Sequence, residues 1–126
     1  MEFDPSQPIW LQLVREFTRR IATGEWPAGE RIPSVRELAT ELSVNPNTVQ
    51  RALAELERER LAVTERTSGR FVTSNEEVIT EARLTLAQSA ADAYVNQTRG
   101  LSLNQTDALS LIKQRWTQFA PTEERE

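Results

Sequence analysis

Cysteine and histidine are both missing from the 126 residues of this chain, and lysine occurs once, at Lys113. Without thiols there is no disulfide scaffold and no thiolate zinc site. Without imidazoles there is no histidine metal site, no Ser/His/Asp triad and no Cys/His nucleophile pair. The expectation is a protein that is not an enzyme and holds no metal or cofactor. Long apolar runs are also absent: no window approaches the roughly 18 apolar residues of a membrane span. The opening Met1-Glu2-Phe3-Asp4-Pro5 has neither a basic n-region nor an apolar h-region, which points to a cytosolic protein without membrane contact. What remains is 38% apolar and 27% charged, with four glycines and six prolines, the composition of a globular and mostly helical chain. Its length allows one compact domain, or a small domain with an appendage.

The net charge of −4 weighs against a polyanionic partner, because such binding usually leaves a basic footprint. The distribution tempers that conclusion. Residues 1–74 hold ten arginines against eleven acids, while residues 75–126 hold five basic and eight acidic residues. Nearly all the cations are arginine, the better fork for phosphate and for guanine edges. Bulk acidity therefore does not exclude DNA.

Turn residues divide the chain into short segments. Trp10, Leu13, Val14, Phe17 and Ile21 form an amphipathic stripe that begins near Pro8 and ends at Gly24. Trp26-Pro27-Ala28-Gly29 forces a turn, and Glu30-Arg31-Ile32-Pro33 is extended because a residue before proline avoids the α region. Ser34 and Glu37 form an S-x-x-E capping box for a second helix with Val35, Leu38, Ala39 and Leu42 inward. After a break at Ser43-Val44, Asn45 and Pro46 start a third helix with Val49, Ala52, Leu53 and Leu56 inward. Residues 62–66 and 70–73, joined by Thr67-Ser68-Gly69, read as a hairpin. A long helix follows from near Asn75, then a break at Gly100, a second capping box at Ser102 and Gln105, and a last helix to Phe119. Residues 122–126 read as a frayed tail. The order describes a mainly α fold with a small β-hairpin wing: a winged helix-turn-helix over residues 1–74, then a two-helix unit over residues 75–126.

A helix-turn-helix puts the first residues of its second helix at base edges in the major groove. With the apolar stripe turned inward, Asn47, Thr48, Gln50 and Arg51 are left at or beside the outer face of the third helix, where amides can pair with adenine and arginine with guanine. Arg36 lies one turn into the preceding helix. At the wing tip Arg66, Thr67, Ser68, Gly69 and Arg70 set two cations around small residues that allow close approach to a phosphate chain or minor groove. Each feature has a plainer explanation: Asn45-Pro46 is an ordinary helix start, and Arg36 and Arg51 could pair with Glu37 and Glu55. The joint order and spacing favour the reading face.

Several segments carry a resemblance. Pro8-Ile9-Trp10-Leu11-Gln12-Leu13, the run from Pro27-Ala28-Gly29-Glu30-Arg31-Ile32-Pro33 through Ser34-Val35-Arg36-Glu37-Leu38-Ala39, Asn45-Pro46-Asn47-Thr48-Val49-Gln50-Arg51-Ala52-Leu53, and Gly69-Arg70-Phe71-Val72 resemble the DNA-binding domain of GntR-family bacterial regulators. The short tail is similar to the YtrA-type subfamily, whose tail serves dimerisation. The resemblance implies that Arg36, Asn45, Asn47, Thr48, Gln50 and Arg51 face operator DNA, with residues 66–70 on the backbone or minor groove. Two positions depart from the pattern: Thr67 and Arg60 stand where the family often has glycine. Thr67 must then avoid the left-handed region that glycine enters freely.

One recognition helix reads few base pairs, so a homodimer on a pseudo-palindromic, double-stranded operator is expected, acting as a repressor. Ile79, Ala82, Leu86, Ala90, Leu109, Ile112 and Trp116 would otherwise leave a large bare apolar patch on the tail, unless the helices fold back on the head. A small effector, of unidentified chemistry, would sit between subunits or near Ser74, where Tyr94, Arg99 and Trp116 are candidates for its walls. The competing interpretation is a winged domain that binds protein. An enzyme built on Glu76, Glu77 and Glu81 is disfavoured, since acids at a helix N-terminus suit the dipole anyway.

Overall fold

The computed structural model describes residues 1–119, so the expected frayed tail at residues 122–126 lies outside the described residues. The elements run α1 (Ile9–Ala22), α2 (Val35–Leu42), α3 (Pro46–Arg58), β1 (Ala62–Glu65), β2 (Gly69–Val72), α4 (Glu76–Gly100) and α5 (Gln105–Phe119). The chain divides into two compact units, Met1–Leu86 and the part from Ala87 onward.

The first unit is built on one core. Leu13, Phe17 and Ile21 of α1 meet Leu38 and Leu42 of α2 and Val49, Leu53 and Leu56 of α3, with Ile32, Leu61 and Val72 closing the side of the hairpin. Phe17, wholly buried, stacks on Trp26 with ring centroids 5.2 Å apart. Truncating it to alanine would cost about 3–5 kcal/mol. The unit runs past the hairpin's end because Ile79 enters the core and Val78 and Ala82 pack against it. Arg83 Nε also donates to the Ala22 carbonyl at 3.1 Å, which caps the end of α1.

Local chemistry sets the ends. Pro8 is the N-cap of α1, one position before the first helical turn where a proline there was expected. Ser34 caps α2 by accepting from Glu37 N–H at 3.1 Å, but the reciprocal half of the expected box is absent. The Glu37 carboxylate accepts from the Ser34 hydroxyl instead of the Ser34 backbone N–H. Asn45 caps α3 through Asn47 N–H at 2.8 Å, with Pro46 opening the helix. Between these helices Ser43 takes φ 55°, the left-handed residue of the tight turn.

The hairpin pairs β1 and β2 antiparallel, with Val63 opposite Phe71 and Glu65 opposite Gly69. The extended segment expected at residues 30–33 pairs with the other side of β2: Ile32 N–H donates to Arg70 O at 2.9 Å and Val72 N–H to Glu30 O at 2.8 Å. The wing is thus anchored on both edges of β2.

In the second unit the last turns of α4 and α5 are joined by a short turn in which Ser102 has φ 63°. The cap of α5 is therefore not the expected Ser102 with Gln105. Asn104 fills that role, accepting from Asp107 N–H at 2.8 Å, because Ser102 is committed to the left-handed bend. Tyr94 donates its hydroxyl proton to the Ala108 carbonyl at 2.8 Å and so fastens α4 to α5.

Candidate nucleic-acid interface

α3 spends its inward stripe on the core and leaves Asn45, Asn47, Gln50 and Arg51 exposed at its N-terminal end, with Thr48 half-buried. That end carries the positive pole of the helix dipole, favourable to phosphate. The Asn45 side-chain oxygen is engaged in capping, which leaves its amide NH2 as the group that can donate to a partner. Arg51 lies over Trp10 with its guanidinium carbon 4.0 Å from the ring centroid. Stacking occupies the flat face of the guanidinium and leaves the N–H edge for fork recognition. Glu55, the alternative partner for Arg51, pairs with Arg58 at 2.6 Å, and that contact first of all holds its carboxyl below the ordinary range. Arg36 is exposed on α2 and forms no ion pair among the described residues.

At the wing tip Arg66, Thr67 and Ser68 are exposed, and Gly69 takes φ 100°. Among the described residues, positive φ outside glycine is confined to Ser43, Arg60 and Ser102, so Thr67 stays out of the left-handed region as expected. Arg60 does not: it adopts φ 66° where the family pattern has glycine. Arg70 is half-buried and paired with Glu57, whose carboxylate also accepts from Thr64 Oγ1 at 2.6 Å. Burial pushes the Glu57 carboxyl up, but the hydrogen bonds from Thr64 and Arg70 outweigh it and hold the group below its usual value.

Sequence reasoning passed over Arg31. Its guanidinium lies so close to Gly69 that a Cβ there would stand 3.1 Å from Arg31 Nε, and it shares with Ser34 and Arg66 a groove of about 360 Å³ between the wing and the start of α2. Its place beside the buried Ile32 in an extended stretch signalled an outward side chain, but the pairing with β2 was invisible locally.

The tail residues separate into two groups. Ile79 is only 4% exposed in the core of the first unit and Ala82 packs against that core, so these two are already covered by their own chain. Leu86 is half-buried, Ala90 is exposed, and Leu109, Ile112 and Trp116 are 52%, 40% and 72% exposed. A cavity of about 400 Å³ in the second unit is walled by Tyr94, Arg99, Leu103 and Leu109, while Trp116 lies on a neighbouring groove with Tyr94 and Phe119. Among the described residues no cluster of acids could hold a metal ion, and no helix is long and apolar enough to cross a membrane.

Two helices meeting across a left-handed turn, a third bracing them, and a hairpin pinned alongside make a winged helix-turn-helix, the reading head of DNA-binding transcription regulators. Residues 11–72 match the family described as "Bacterial regulatory proteins, gntR family". The chain is 35% identical over 112 residues to the uncharacterized HTH-type transcriptional regulator YhcF of Bacillus subtilis (strain 168), covering 89% of this chain and 93% of that protein. It therefore belongs to the GntR family, whose members are non-enzymatic DNA-binding transcription factors. It is also 37% identical over 89 residues to the HTH-type transcriptional repressor YtrA of the same organism, 68% of each chain. A solved GntR family transcriptional regulator from Listeria monocytogenes superposes with a TM-score of 0.82 at 36% identity, over 89% of this chain and 98% of the other. Both the YhcF and the Listeria matches span too much of the chain to stop at the wing, so the likeness includes most of the helical tail.

Proposed function

We propose that this regulator is a repressor that binds a pseudo-palindromic operator as a homodimer. Residues 1–74 read DNA through Arg36, Asn45, Asn47, Thr48, Gln50 and Arg51, with Arg66, Thr67, Ser68 and Gly69 meeting the backbone or minor groove. Of the tail over residues 75–126, the part beyond the first unit pairs the subunits, since Ile79 and Ala82 are taken up by the core of the head. The observation that carries this reading is the exposed, amide- and arginine-bearing N-terminus of α3, facing away from a core that uses the opposite side of the same helix. The similarity to a named repressor supports the sign of regulation. Pairing is supported by the exposed Leu109, Ile112 and Trp116, which a lone subunit would leave in water. A small effector, apolar with one polar end, would fit the cavity walled by Tyr94, Arg99 and Leu103.

Footprinting on DNA upstream of its own coding region tests the proposal. The expected result is protection of two half-sites about one helical turn, or a multiple, apart. Protection of a single half-site would refute the dimeric operator, and no protection in any selected DNA would favour a winged domain that binds protein.

A further inference from the structure

The sequence expectation for Arg70 is a free cation at the wing, yet its side chain is only 19% exposed and is engaged on α3. Its Nε donates to Glu57 Oε1 and its Nη1 donates to Gln50 Oε1 at 3.4 Å. The same Glu57 oxygen also accepts a hydrogen bond from the Thr64 hydroxyl. One carboxylate thus holds a residue from each strand of the wing, and through Arg70 it reaches Gln50 two helical turns earlier on the same face of α3.

The chemistry of this bridge constrains Gln50. Arginine nitrogens only donate, so the glutamine atom facing Arg70 is the carbonyl oxygen, and the NH2 is turned away from it. A glutamine with both ends of its amide free pairs bidentately with adenine. One whose oxygen already accepts from Arg70 presents chiefly donors. Guanine meets these with two acceptors, O6 and N7, and thymine with O4, whereas adenine sets beside its N7 an N6–H2 donor that must compete with Arg70 for the glutamine oxygen.

Resting on the reading of α3 as the DNA-facing helix, we infer that Glu57 and Arg70 are positioning residues that set the base preference of Gln50, turning it toward guanine or thymine and away from adenine. Arg70 is compensated by Glu57 and is not one of the phosphate contacts.

The test uses the full chain. Duplexes are selected from a random pool, and affinities of the wild type, Gln50→Ala, Arg70→Lys and Arg70→Ala are measured by fluorescence anisotropy between about 50 and 200 mM salt. Gln50→Ala identifies the base pair that Gln50 reads. At that pair the wild type is expected to prefer guanine or thymine over adenine by about fivefold or more. Arg70→Lys keeps the charge but lacks the fork that reaches two partners, so most of this preference is lost while affinity for unrelated DNA is unchanged. Arg70→Ala leaves the salt slope in place, and the lysine variant stays informative if the alanine variant melts early.

Three results would overturn the assignment: a wild-type preference for adenine, an undiminished preference in Arg70→Lys, or a slope reduced by about 0.9 in Arg70→Ala, the mark of one lost phosphate contact. Any of these leaves the reading head intact. If no DNA is enriched, or Gln50→Ala changes no base preference, the reading of α3 itself fails and takes this inference with it.

Discussion

Arg60 ends α3 in the left-handed conformation, φ 66°, with its N–H donating to Glu57 O at 3.0 Å and the next N–H, of Leu61, to Leu56 O at 2.9 Å. This is a Schellman closure, whose left-handed residue is usually glycine because a Cβ crowds the backbone there. Arg60→Gly is expected to stabilise the protein by about 1 kcal/mol, raising Tm by about 4–8 °C. Arg60→Ala, which keeps the Cβ, leaves Tm in place. Calorimetry on the three proteins decides it: equal melting for the glycine and alanine variants would show that the position carries no strain.

The two reading arginines differ at the same scale. Arg36→Ala removes an exposed cation and should weaken specific DNA binding by about 1–3 kcal/mol with Tm unchanged. Arg51→Ala should weaken binding comparably. It also gives up the stacking on Trp10, so the fold loses about 0.5–1 kcal/mol. Unchanged operator affinity in both variants would rule out this face as the reader.

At the scale of elements, α1 and α2 are tied by charges that respond to acid. Glu16 accepts from Arg19 and Arg20 at 2.8 and 2.9 Å, and Arg20 reaches on to Glu41 of α2 at 2.7 Å while lying over Trp26. The Arg19 hydrogen bond, more than any other contact, holds the Glu16 carboxyl down at about 2 against an ordinary 4.5. A carboxyl depressed on folding stabilises in full above its ordinary value and loses that contribution as pH falls through its folded value. Glu16→Gln should therefore melt on the order of 1–4 °C lower than the wild type at neutral pH, since the pair is partly screened by water. Thermal melts over a pH series should show the gap closing between about 4.5 and 2; a gap independent of pH would mean that the Glu16 side chain acts through packing and not through its charge.

The helices were legible because their information is local. The stripe of Val49, Ala52, Leu53 and Leu56 and the caps at Ser34 and Asn45 depend on neighbours within a turn or two. What escaped was non-local or conformational. The partners of Arg70 and the stacking of Arg51 on Trp10 need the tertiary fold, the third pairing of β2 needs its register, and the α5 cap passed from Ser102 to Asn104 once the turn took a left-handed residue.

At the scale of the whole molecule, the chain has more apolar surface in its second unit than two helices can cover. Val95, Leu101, Leu109, Trp116 and Phe119 are all more than two-fifths exposed, and no residue of α5 is buried. Water would penalise such a face on a monomer, whereas a second copy presenting the same face removes it from solvent by symmetry. The wild type is expected to sediment as a dimer at micromolar concentration. Ile112→Glu with Trp116→Glu places charges on that face and should yield monomers whose first unit, with its separate core, melts as before. Such monomers should still bind a half-site. Their affinity for the full operator should fall by about 100-fold or more, because the second contact is no longer intramolecular. A wild-type monomer in solution, or a doubly substituted protein that remains dimeric, would break the link between this face and pairing. A monomer with undiminished operator affinity would break the link between pairing and recognition, since one α3 would then be reading the whole site alone.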